Sequence, residues 1–214
     1  MLPYTAEVLD ALLADYHAAI APLRVIGWLL TAIALALAWR GGPTGWRGSC
    51  AVLAAGWLWT GIAFHYERFA VLNFAAPAYA GLFGLQAALL LVTGALAGRP
   101  GTSARGALAW IGLAVAAFAL LGQPALAAAL GASWQAVPMA GTAPTPTALA
   151  TLGILLLAAR TPIHLCLLPA LWGLIAGASG WILGMPRELP LALVALALPG
   201  LLWWQRRSRP ERKR

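Results

Sequence analysis

Seven stretches of this chain are long, apolar and almost free of charge, and that feature decides what it can fold into. They cover residues 22–39, 49–64, 74–96, 107–121, 147–159, 163–183 and 189–204. A bilayer core about 30 Å thick takes about 20 helical residues to cross. The runs are continuous in Leu, Ala, Val and Ile, whereas a barrel strand alternates every second residue. They therefore predict an all-α, polytopic transmembrane helix bundle of seven spans. The fifth run is short and follows a proline-rich stretch, which predicts a tilted or broken segment. Five spans with two weak segments re-entrant is the alternative count.

Composition agrees. Of 214 residues, 62% are hydrophobic and 9% charged, against about 25% charged in an ordinary soluble domain. So few charges cannot cover a water-exposed surface, which excludes a soluble globular enzyme and a disordered chain. The net charge of +8 and pI near 10.8 raise the question of nucleic acid. Six of the 14 basic residues, however, lie within residues 206–214. That block suits membrane lipid headgroups, and no nucleic-acid partner is expected. Cys50 and Cys166 follow no ligand or redox spacing.

Basic residues divide unevenly between the two sets of loops. Arg40, Arg47, Arg99, Arg105, Arg160 and the six of the tail fall on one side. Arg24, Arg68 and Arg187 fall on the other, together with Glu7, Asp10, Asp15, Glu67 and Glu188. The rule that basic loops stay inside predicts an outer N-terminus and a cytoplasmic C-terminus. No signal peptide is expected, because acids rather than bases precede the first apolar run.

Residues 1–21 read as an interfacial amphipathic helix. Thr5 stands at its cap, and Val8, Leu9, Leu12, Leu13, Tyr16 and Ile20 form its apolar face. The alternative is an extension of the first span bent near Pro22. Residues 22–204 then form one transmembrane domain with a long outer loop over 123–147, and residues 205–214 form a basic cytoplasmic tail. Gln86 is placed for an interhelical hydrogen bond, and Gly173, Gly177, Gly180 and Gly184 for close helix contact within the monomer.

Polar and aromatic chemistry is densest from Trp57 to Asn73. His65, Tyr66, Glu67 and Asn73 are candidates for the wall of an outward-facing pocket. An interfacial aromatic belt is the plainer reading. On a helix His65 shares a face with Phe69, which would shield it, and with Gly61, which would leave room beside the ring. The outer loop supplies Trp134, Pro138, Thr142, Thr145 and Thr147. Prolines at 144 and 146 argue against a regular helix there. The loop is expected either to dip inward or to cap the bundle, and its 138–147 part to pack on the outer end of the second span. Non-helical backbone at membrane depth is tolerated only inside protein or beside water.

Cofactors are not expected. The only lysine is Lys213 in the tail, so a retinal Schiff base has no partner within a helix. His164 falls at the opposite end of the bundle from His65, which argues against a transmembrane haem pair. His17, Asp10, Asp15, His65 and Glu67 are scattered, with no spacing that predicts a metal site.

Three places carry a resemblance to a known family. They are Leu2-Pro3-Tyr4-Thr5-Ala6-Glu7; then Trp57, Trp59, Gly61, His65, Phe69, Asn73, Ala75 and Ala76; then Gly131, Trp134, Pro138, Gly141, Pro144, Pro146 and Thr147, with the apolar run 149–157. On these the chain resembles domain-of-unknown-function family 6064, bacterial multi-pass membrane proteins without an established activity, some of which bear the label permease; the resemblance implies a bacterial inner (cytoplasmic) membrane as its location. The third motif of that family has Cys between its prolines where this chain has Thr145, and often His where this chain has Ala132. Redox or metal chemistry resting on those two residues is closed to this member.

The functional expectation is binding or passage of an unknown small solute through an outward-facing polar vestibule, with a homo-oligomer as a further possibility. The alternatives are a membrane-embedded enzyme on a lipid-like substrate, with His65 and Glu67 as acid and base, and an accessory or sensory protein that meets a partner.

Overall fold

A computed structural model describes residues 3–98, 106–158 and 160–207, apart from the Arg206 side chain. Arg99, Arg105 and the tail beyond Arg207 lie outside the described residues. Within them the chain is all-α, with eight helices. These are α1 (Ala6–Ala19), α2 (Ala21–Arg40), α3 (Gly42–Trp59, continued by the π-helical turn Thr60–Tyr66), α4 (Ala76–Leu96), α5 (Ala107–Ala129), α6 (Pro144–Leu156), α7 (Ile163–Leu183) and α8 (Leu189–Arg207). Five segments are long and apolar enough to cross a membrane: Ala21–Arg40, Ala76–Leu96, Ala107–Ala129, Ile163–Leu183 and Pro186–Gln205. By length and composition this is a multi-pass helical membrane protein.

The hub is α6. All of its 13 residues are buried, as befits a helix apolar all round. At 1.5 Å per residue it is about 20 Å long, less than the hydrocarbon thickness. It starts at Pro144, earlier than the proline pattern suggested. The reason is position: Pro144 and Pro146 sit in the first turn, where backbone N–H groups have no intrahelical partner to lose. Around α6 pack α5, α7 and α3, while α2 lies beside α3 and α8 beside α7. Gly173, Gly177 and Gly180 line the α7–α8 contact. An added Cβ would stand 3.0 Å from Leu191, 2.3 Å from Ala192 and 2.5 Å from Glu188 respectively. Gly184, at φ 69°, ends α7 in the left-handed conformation that glycine adopts without penalty.

Of the prolines within helices, Pro124, Pro169 and Pro199, the first two stand over carbonyls that side chains from neighbouring helices cover. Pro169 cannot donate to the Leu165 carbonyl, and Gln86 Nε2 on α4 donates to it instead at 2.9 Å. Pro124 leaves the Leu120 carbonyl free, and Trp28 Nε1 on α2 donates to it at 2.8 Å. At the end of the bundle away from α1, Arg47 caps the last turn of α4 through the Ala95 and Leu96 carbonyls at 2.7 and 2.5 Å.

The other end is closed by α1 and by the segment that precedes α6. Residues 136–143 are buried and non-helical from 137. Their backbone passes between α2 and α3 because Gly27 and Gly56 carry no side chain there. A Cβ on Gly27 would come within 2.9 Å of Thr142 Cγ2, and one on Gly56 within 3.3 Å of Gly141 Cα. The polar groups of this segment are paired within protein. Gly141 N–H donates to Thr147 Oγ1 at 2.8 Å, Ala143 N–H to the Met139 carbonyl at 2.9 Å, and Tyr16 Oη to the Thr142 carbonyl at 2.9 Å. The 138–147 region thus packs on the end of α3 as its polarity required, with Trp59 Nε1 donating to Tyr16 Oη at 3.0 Å.

Thr5 caps α1, accepting from Val8 N–H at 3.5 Å. The buried face of α1 consists of Leu13, Tyr16 and His17, with Leu9, Leu12 and Ile20 half-buried; Val8 faces out. The helix does more than float at an interface, because it docks on Phe64, Phe69 and Ala76.

Candidate functional site

Under α1 the α7 helix presents one face that mixes small residues with large apolar ones. Trp172, Ile175, Ala176, Ser179, Gly180 and Leu183 recur at helical spacing and line a cavity of about 70 Å³. That exceeds the roughly 10–15 Å³ one water needs. The remaining walls come from Leu9 and Leu13 of α1, from Tyr4, Phe64, Phe69 and Tyr79, from Pro138 and the stretch 143–146, and from Met185 and Glu188. The walls are mainly apolar, so the polar vestibule expected from the sequence is polar at one end only.

That end is a short ionic network. Arg187, between α7 and α8, pairs with Asp10 of α1, and its Nε lies 3.8 Å from Glu188 Oε1. Thr145 Oγ1, at the start of α6, donates to Glu188 Oε2. Gln123 Nε2 fixes the corner by donating to the Arg187 carbonyl at 3.1 Å. A second ion pair, Arg68 with Asp15 at 2.6 Å, ties the other end of α1 to the loop after α3.

Behind the cavity sits His65, fully buried in the π-helical turn that closes α3. Five rings enclose it: Phe83 at 4.5 Å, Trp172 at 4.9 Å, Phe64 at 5.2 Å, Tyr79 at 5.9 Å and Phe69 at 6.0 Å between centroids. Among the described residues neither ring nitrogen has a hydrogen-bond partner, so aromatic faces are the nearest polar environment it has. Trp172, Phe64, Tyr79 and Phe69 stand between His65 and the cavity or beside it, which makes the histidine the backing of that wall. Gly61 makes no room for His65. A Cβ there would meet Phe83 Cβ at 3.0 Å and the Ala80 carbonyl at 3.2 Å, so this glycine admits α4 instead.

The other candidates separate. Tyr66 and Glu67 are exposed whereas His65 is fully buried, and no hydrogen bond joins His65 to Glu67 among the described residues. Asn73 is buried, and its Oδ1 accepts from Ala75 N–H at 3.0 Å in the turn leading to α4. Pro138 and Thr145 line the cavity; Thr142 and Thr147 hold the backbone of the segment before α6. Trp134 is exposed, with the Arg24 guanidinium 4.8 Å above its ring.

His17 is held by backbone of the outer segment. Its Nδ1–H donates to the Gln135 carbonyl at 3.1 Å, and Arg24 reaches the Trp134 and Gln135 carbonyls at 2.9 and 3.2 Å. Burial first, and the Arg24 charge second, push the His17 imidazole down to about 4. Among the described residues no three His, Cys, Asp or Glu side chains gather where they could hold a metal ion.

Sequence reasoning missed Tyr4, Tyr79, Trp172 and Ser179 as wall residues, and counted Glu188 only as a loop charge. The signal for α7 was present: Trp172, Ala176, Ser179 and Gly180 recur at three- and four-residue spacing, with three of the four small.

The chain belongs to a family of unknown function (DUF6064), whose sequence profile matches residues 6–213. No curated protein and no solved structure matches it.

Proposed function

We propose that this family member crosses the membrane seven times, N-terminus outside, and holds a small amphiphilic solute in the cavity beneath α1, where the solute is retained or enters for passage. The observation that carries the binding reading is the cavity itself, aromatic and aliphatic along most of its length and ending at Glu188 and Thr145. Concave apolar sites with a few convergent polar groups are where small ligands bind. Seven crossings are supported by the contacts at the two ends. The segments after α1, α3, α5 and α7 meet through Tyr16, Arg68, Gln135 and Arg187. At the far end Arg47 meets the close of α4, and Thr161 meets Gln205. Counting α3 and the short α6 with the five long spans gives the odd number that this arrangement needs.

The test is thermal unfolding of the detergent-purified chain with short-chain amphiphiles of each charge type. A ligand at a hundred times its Kd stabilises by about 2.7 kcal/mol. Ala176→Trp, which fills the cavity from α7, and Ala143→Leu, which fills it from the opposite wall, are expected to abolish that gain. Equal stabilisation of wild type and both variants would overturn the reading.

A further inference from the structure

We infer that the solute of this cavity is an organic cation, an alkylammonium whose charged head sits beside Glu188 and whose apolar tail runs along α7 toward Trp172. The inference rests on the binding reading above and assigns its chemical class.

Charge comes first. Around the polar end, Asp10 and Glu188 share the single guanidinium of Arg187. Asp10 takes its terminal nitrogens, so Glu188 keeps only the more distant Nε and the Thr145 hydroxyl. One carboxylate is therefore in excess. A groove along Pro3, Thr5, Ala6, Glu7 and Ile182 adjoins the cavity, sharing Tyr4 and Leu183 with it, and adds the Glu7 carboxylate. A cation entering there meets more negative than positive charge, whereas an anion would be repelled.

The walls agree. Tyr4, Phe64, Phe69, Tyr79 and Trp172 line one small volume. Aromatic faces are electron-rich and attract ammonium groups, most strongly when water is excluded, and Tyr4, shared with the groove that carries Glu7, sets such a face at the charged end while the other four rings flank the tail. A purely aliphatic solute would need neither these faces nor Glu188.

The length of the cavity agrees as well, since Trp172 lines its inner end. From Trp172 to Gly180, which abuts Glu188, is eight residues of helix, or about 12 Å. That length suits a short chain with a charged head.

Binding of three probes to the purified protein in neutral detergent tests this: hexyltrimethylammonium, hexanol and hexanoate. The cation is expected to bind at least about tenfold more tightly than hexanol, and hexanoate the least. Glu188→Gln should narrow the preference for the cation over hexanol from about tenfold toward equality. The probe comparison on the unaltered chain decides the matter even should that variant fail to fold. Equal binding of hexanol and the cation would overturn the inference and leave the binding reading intact. Loss of all three kinds of binding would end both. Adding phosphatidylethanolamine or phosphatidylglycerol to the micelles identifies the source of the ammonium. Competition by the first alone means a lipid headgroup occupies the site, and competition by neither means a free solute does.

Discussion

His17 is where solution pH reaches this fold most directly. Buried, and facing Arg24, its imidazole is held down to about 4, while in an unfolded chain it takes a proton near 6.5. Between those values the unfolded state carries more protons, so stability falls as pH falls. The contribution, about 3 kcal/mol, is complete above about pH 6.5 and gone below about pH 4. His17→Gln keeps a donor for the Gln135 carbonyl and removes the titration. The stability difference between wild type and this variant should change by that amount between neutral and acid pH. A difference independent of pH would refute it. Gln86 makes a second residue-scale prediction. Gln86→Leu uncovers the Leu165 carbonyl and should cost about 1 kcal/mol. In a Pro169→Ala background the helix supplies its own donor, so the same change should cost much less; an unchanged cost in a double-mutant cycle refutes the compensation. The interhelical role of Gln86 was legible from a lone amide in an apolar run. Its partner was not, because the need arises from a proline on another helix.

At the scale of elements, the segment before α6 and the docking of α1 depend on each other. Gly141 has φ +91°, and a Cβ there would stand 2.5 Å from the Gly27 carbonyl oxygen. Gly141→Ala is therefore expected to destabilise by more than about 2 kcal/mol and to expose 137–143 to hydrogen exchange. Protection equal to wild type would contradict the close passage. Arg187→Met removes the guanidinium that joins Asp10 to the α7–α8 corner and leaves two carboxylates facing each other. Loss of about 1–3 kcal/mol is expected, with faster exchange in α1; unchanged α1 exchange would mean its apolar face alone holds it. The helices were largely legible, since apolar runs report length directly, and 163–183 falls on α7 residue for residue. The start of α6 was not, because proline forbids a helix interior but suits a helix start, and pattern alone does not say which position it holds. The buried path of 137–143 was open to either reading, because what admits it is the absence of side chains at Gly27 and Gly56, far away in sequence.

For the molecule as a whole, the all-α bundle followed from the scarcity of charge together with the continuous apolar runs, whereas the cavity did not. His65 drew notice as a histidine among aromatics, yet those rings enclose it, and the space lies on their other side against α7. Proximity in sequence placed Glu67 beside His65, yet Glu67 is exposed and His65 fully buried. Topology is tested by a C-terminal tag, expected to be reached only from the cytoplasm; labelling from outside intact cells would reverse the orientation. The central claim, a solute held beneath α1, is tested most directly by determining the structure of the protein in a lipid nanodisc. The account predicts non-protein density running along α7 from Trp172 to Glu188 in the wild type and its loss in Ala176→Trp. A wild-type map in which side chains fill that space, with nothing between α1 and α7, would contradict it.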